Sequence, residues 1–248
     1  MIRRSFEAIG RYFLFLKMVF RKPEKGRIFW RQFINESDKL ILSSILLVGV
    51  ISLFIGGVLV IQTASNLENP IIDKMYIGYM VRESLILEFC STMVALILAG
   101  KMGSNIASEI GTMRVTQQID ALEIMGVNSA SFLILPKILG FITMMPFLVI
   151  FSTVSGVAGA YATAYFANII TASDLTAGMQ HEFTQWFFWM GIIKSFFFAF
   201  IITSISAYCG YYAKGNSLEV GKASTQAVVI SSIAIMICNL VLTQLLRT

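Results

Sequence analysis

Glu109–Gly126, EIGTMRVTQQIDALEIMG, is polar, built from helix-forming residues, and flanked on both sides by apolar segments long enough to cross a bilayer. A helix carrying this many charges does not rest in hydrocarbon, so it faces water or a partner at a membrane surface. Val115, Ile119 and Leu122 recur at spacings of four and three and form a narrow apolar stripe. Arg114, Thr116, Gln118, Asp120 and Glu123 surround that stripe, and Gly126 is placed to end the helix as a left-handed residue. Such a helix either presses its stripe into a partner's groove or serves as a solvated connector. The pattern alone leaves both open.

Working outward, the composition excludes a water-soluble domain. Mean hydropathy is +0.76, with 56% apolar and 13% charged residues in 248. The chain reads as an all-α integral membrane protein. Leu40–Leu67 carries no charge, and its first part already meets the roughly 20 residues a spanning helix requires. The spans are expected at about 40–62, 76–100, 138–165, 184–213 and 223–246, with the polar helix at about 105–126 between the second and third. The third contains Pro146 and is expected to emerge into a loop or short helix reaching Glu182. Residues 40–248 thus form the membrane domain.

Charge asymmetry sets the orientation. Residues 1–39 hold ten of the nineteen Lys and Arg residues. Lys101, Arg114, Lys137, Lys214 and Lys222 fall on the same side, against only Lys74 and Arg247 opposite, where Glu68, Asp73, Asp174 and Glu182 lie. The N terminus is expected in the cytoplasm and the C terminus outside. Residues 1–39 do not read as a signal peptide. Phe6–Phe20 mixes Arg11 and Lys17 with Phe6, Ile9, Tyr12, Phe13, Leu16 and Phe20, and Gly26–Leu40 mixes Arg27 and Arg31 with Ile28, Phe29, Trp30 and Phe33. Basic groups interleaved with aromatics suit two helices lying among headgroups.

Cys90, Cys209 and Cys238 show no pairing pattern, and His181 is the lone histidine, so neither a disulfide framework nor a His-based metal cluster is indicated. No GxxxxGK[ST] phosphate loop is present, so ATP hydrolysis by that route is excluded. Glu88 and Lys194 are ionisable groups inside spans. There an unpaired charge costs roughly 2.5–3.5 kcal/mol, so they should face protein, water or each other. Arg82 and Glu83 lie nearer the outer surface, where snorkelling takes charged heads to water. Gly49, Gly56, Gly57, Gly156 and Gly159 permit close helix approach, and the start of span four, from Phe183 to Trp189, reads as an interfacial aromatic belt.

Ala99–Gly126, AGKMGSNIASEIGTMRVTQQIDALEIMG, resembles the signature of the MlaE/YrbE permeases, the membrane subunits of Mla-type ABC transporters that move phospholipids. The match runs through Gly100, Gly103, Ala107, Glu109, Gly111–Thr116, Gln118–Glu123, Met125 and Gly126, and continues more weakly from span one to the C terminus. The resemblance implies a homodimer in the bacterial inner membrane, with a cytoplasmic ABC ATPase (MlaF-like) and a periplasmic MCE-domain protein (MlaD-like). ATP and Mg would be bound by the ATPase and no cofactor by this chain, in a system that maintains outer-membrane lipid asymmetry.

It further implies a coupling helix in which Glu109, Met113, Arg114, Val115, Ile119, Asp120, Leu122 and Glu123 meet the ATPase. Glu88 and Lys194 match an acidic residue of the second span and a lysine of the fourth, near a lipid cavity. Here Glu88-Phe89-Cys90-Ser91 replaces the family's glutamate-leucine-glycine-proline, and Asn239 stands where members often carry aspartate. The pair either serves the cargo or only fixes helix packing. Competing readings are an ion-coupled secondary transporter using Glu88 and Lys194, and a scaffold without transport. Five spans without half-to-half similarity disfavour the former.

Overall fold

The computed structural model describes residues 2–21, 26–67 and 73–247. Glu68 and residues 22–25 lie outside the described residues, as do the side chains of Phe6, Ile9 and Arg247. The chain is an all-α membrane protein. Five helical stretches are long and apolar enough to cross a membrane: Gly26–Asn66, Met75–Val115, Ser129–Ala167, Gln185–Tyr211 and Ser217–Leu246.

In chain order the helices are α1 (Ile2–Val19), α2 (Gly26–Asn66), α3 (Met75–Ser84), α4 (Val94–Leu98), α5 (Ser104–Val115) and α6 (Gln118–Ile124). They are followed by α7 (Ser129–Ala167), α8 (Ala172–Gln180), α9 (Gln185–Tyr211) and α10 (Ser217–Arg247). Leu85–Met93 and Ala99–Gly103 are π-helical, so the second span widens in two places. Such wide turns concentrate at functional sites.

Three expectations are corrected. Gly26–Leu40 is not a separate interfacial helix; with neither Gly nor Pro between Arg27 and Val48, it continues into the first span as α2. The second span does not stop near residue 100 but runs on into α5. The polar stretch is two helices rather than one. The Thr116 hydroxyl bonds back to the Thr112 carbonyl at 2.8 Å, and Gln117 takes a left-handed φ of 60°, which breaks α5 from α6. Gly126 does end α6 with a positive φ of 80°. Val127 N–H reaches the Leu122 carbonyl and Gly126 N–H the Glu123 carbonyl, both at 3.0 Å, which is the Schellman closure.

Contacts divide the chain into two compact units. The first comprises Met1–Leu40, Leu98–Met144 and Phe197–Cys238. Its core joins Phe15 and Val19 of α1, Ile106 and Ile110 of α5, Ile119 of α6, Ile134 and Ile138 of α7, and Tyr211 of α9. Asn128 and Ser131 donate to the Met18 and Arg21 carbonyls at 3.1 and 2.7 Å, so side chains at the start of α7 satisfy carbonyls at and just past the end of α1. The side of α1 away from Phe15 carries exposed Phe13, Leu14 and Lys17, and Phe20 just past the helix is exposed too.

The second unit comprises Ile41–Ile97, Met145–Phe196 and Asn239–Thr248. Its α2 and α7 touch backbone to backbone. A Cβ on Gly56 would overlap the Gly156 carbonyl, and one on Gly159 the Leu53 carbonyl. Gly78 and Gly178 bring α3 and α8 together in the same way. Arg82 does not snorkel. It is buried and donates to the Met179 and His181 carbonyls at 2.9 and 2.6 Å and to Glu83 at 2.7 Å, capping the end of α8. Trp186 Nε1 donates to the Leu246 carbonyl at 2.9 Å, near the end of α10.

Candidate functional site

Two constellations hold the residues singled out in the sequence, one in each unit. In the first unit α5 and α6 form a helical elbow. Arg114 Nη1 donates to Asp120 Oδ1 at 2.6 Å across the bend, and its guanidinium lies 5.8 Å from the centre of the Tyr211 ring. Glu123 Oε1 accepts from Ser129 Oγ and from Tyr211 Oη, each at 2.9 Å, which anchors α6 to the start of α7 and the end of α9. Met113 packs against the core.

Ile119 does not belong to an outward stripe: it is fully buried in its own core. The left-handed turn at Gln117 re-phases α6 against α5, so Val115, Ile119 and Leu122 do not share one free face. What α6 leaves exposed is Gln118, Ala121, Glu123, its last residue Ile124 and its cap Met125, the last two 87% and 68% exposed. Glu109 does not point away from the chain either. Its Oε2 accepts from Lys137 Nζ at 2.8 Å, and the same ammonium reaches Glu36 Oε2 at 2.7 Å. A cavity of about 570 Å³ opens beside the elbow, lined by Met18, Arg21, Glu123 and Gly126–Ser129.

In the second unit Glu88, Lys194 and Asn239 meet. Glu88 sits in the first π-helical stretch, and Lys194 of α9 is fully buried. Lys194 Nζ donates to Glu88 Oε1 at 3.0 Å and to the Leu87 carbonyl at 3.1 Å. Asn239 Nδ2 donates to Glu88 Oε2 at 2.8 Å, while Thr92 and Thr243 each donate to the carboxylate at 3.2 Å. Asn239 therefore serves the carboxylate, whereas an aspartate in its place would face the lysine's partner as a like charge. The side chain of Glu88 is 41% exposed although its lysine is sealed. An apolar groove of about 290 Å³, lined by Ile51, Phe54, Val58, Leu59, Gln62 and Phe89, opens in the same unit next along the chain from Glu88.

Sequence reasoning missed Lys137 and Glu36, which read as ordinary loop and interfacial charges, and Tyr211, Ser129, Thr92 and Thr243, which carried no signal as polar residues among many. Among the described residues no group of three His, Cys, Asp or Glu side chains is arranged to hold a metal ion.

Five helices long and apolar enough to cross a membrane, with a satisfied ion pair in one unit and a polar elbow in the other, define a polytopic membrane protein. Comparison with known proteins specifies which one. The family model described as "Permease MlaE" matches residues 33–245. A probable ABC transporter permease protein of Rickettsia bellii is 33% identical over 98% of this chain and 93% of its own length. One from Synechocystis is 30% identical over 97% and 91%. The chloroplastic protein TRIGALACTOSYLDIACYLGLYCEROL 1 of Arabidopsis thaliana is 28% identical over 88% of this chain and 62% of its own length. The chain belongs to the MlaE permease family of ABC transporter permeases.

Proposed function

We propose that this permease moves phospholipid between the bacterial inner membrane and a periplasmic MCE-domain carrier, as a homodimer driven by a cytoplasmic ABC ATPase that binds ATP and Mg. The observation that carries the reading is the half-exposed Glu88 carboxylate, held by Lys194, Asn239 and two threonines inside apolar spans. A cargo with a polar head and apolar tails needs both a polar point and an apolar groove, and the groove that Phe89 helps to line is the candidate for the second. The name of the Arabidopsis relative, a galactolipid term, agrees with lipid as cargo. Maintenance of outer-membrane lipid asymmetry follows if the carrier delivers to or collects from that membrane.

The elbow is the ATPase dock in this reading, with the N terminus in the cytoplasm and the C terminus in the periplasm. The contact surface is Gln117, Gln118, Ala121, Ile124 and Met125 together with the exposed edges of Asp120 and Glu123. Val115 and Leu122 lie at its margin, while Arg114, Met113 and Glu109 support it from behind. Reconstitution of the permease with its ATPase in vesicles carrying a fluorescent phospholipid tests the proposal. Lipid movement should require ATP, and Ile124→Asp with Met125→Asp should release the ATPase while leaving the permease inserted. Movement that survives ATP depletion but stops with an uncoupler would instead favour an ion-coupled transporter using Glu88 and Lys194.

A further inference from the structure

Lys137 of α7 is buried, yet its ammonium is shared by two carboxylates from two other helices: Glu36 in the base of α2 at 2.7 Å and Glu109 of α5 at 2.8 Å. Lys39 adds a looser contact to Glu36 at 3.4 Å from a head that is mostly in water. Buried ions are a poor source of stability, because desolvation offsets much of their attraction and an apolar trio of similar volume holds helices together as well. What directed charge contributes is register. Two short charge-assisted bonds from one ammonium fix the height and rotation of three helices, where apolar packing tolerates sliding. The two arms are unequal, with the Glu36 side chain 20% exposed and that of Glu109 41%, so the better-sealed arm joins α2 to α7 and the wetter one holds α5.

We infer that Lys137 is a positioning residue for energy transfer. It keeps α5, the helix that leads into the elbow, in register with the adjoining segments of α2 and α7, so that force on α6 moves all three together. Glu109 then acts inside the chain and not as a partner contact. The inference rests on the reading of the elbow as the ATPase dock.

The test uses the whole permease with its co-purifying ATPase, in phosphatidylethanolamine and phosphatidylglycerol vesicles containing a fluorescent phospholipid, and reads lipid moved per ATP hydrolysed. Lys137→Met should assemble and hydrolyse ATP but lower that ratio about tenfold, while Lys137→Arg should stay within about twofold of wild type. A triple variant, Glu36→Gln, Glu109→Gln and Lys137→Met, strands no charge and so folds even if the single variant does not. It too should show the lowered ratio. A wild-type ratio in Lys137→Met or in the triple variant overturns the inference, as does Lys137→Arg failing as badly as Lys137→Met. A wild-type complex that moves no lipid with ATP removes the underlying reading instead.

Discussion

The two units of this molecule differ in how far glycine contacts and polar bonds share the work of holding their helices. In the unit built on Ile41–Ile97, helices meet backbone to backbone at Gly56, Gly156 and Gly159, and one sealed lysine answers one carboxylate. In the unit carrying the elbow, one such contact, Gly210 against the Ala107 carbonyl, is joined by several bonds of moderate strength: Arg114 to Asp120, Ser129 and Tyr211 to Glu123, and Lys137 to two glutamates. The first arrangement has no slack, since any added atom strikes a carbonyl. The second shares its load, and losing one bond leaves the others. A region that must keep its shape around a buried charge suits the first, and a region that must be gripped and displaced suits the second.

The largest effect should come from Lys194→Met, which leaves the half-exposed Glu88 carboxylate only its neutral donors Asn239, Thr92 and Thr243 and should lower stability by about 3 kcal/mol. Denaturation in detergent micelles measures it, and Glu88→Gln combined with Lys194→Met should recover most of the loss. Next comes the same substitution made in each unit. Gly159→Ala pushes a methyl into the Leu53 carbonyl and should lower stability by about 1–3 kcal/mol, whereas Gly100→Ala meets nothing within 4 Å and should shift it by less than about 0.5 kcal/mol. Equal losses at the two glycines would show that the close approach at Gly159 carries no weight.

Tyr211→Phe removes one of the two donors to Glu123 and should lower stability by about 1 kcal/mol, with the Ser129 bond retained. A loss as large as that of Lys194→Met would show that the elbow does not share its load. An effect of opposite sign belongs to Gln117→Gly, which relieves a left-handed φ at an exposed turn and should raise stability by up to about 0.5 kcal/mol. Because Gln117 lies on the proposed docking face, its ATPase affinity should be compared in the same preparation.

The five membrane-crossing helices were legible because long uncharged runs have few other readings, and Glu88 and Lys194 were legible because charge stands out in such runs. Gly126 was legible as a stop because a glycine after a periodic run has one common use. Ile119 was misread for a physical reason. Its spacing from Val115 and Leu122 means a shared face only within one continuous helix, and the break at Gln117 carries neither Gly nor Pro to announce it. Lys137 was hidden because a basic residue in a loop next to a span usually marks topology. Only the partners brought from α2 and α5 distinguish it. The π-helical turns had no signal at all, since a one-residue change in winding leaves the apolar run unaltered.

The Trp186–Leu246 hydrogen bond gives the protein an optical gauge of its own. Indole emission responds to whether its N–H is held by a carbonyl or released to solvent, so fraying of the last helix should register as a change in native fluorescence. A Trp30→Phe, Trp189→Phe background would leave Trp186 as the sole emitter, and the behaviour of the chain's final turn would become readable in intact membranes without any attached dye.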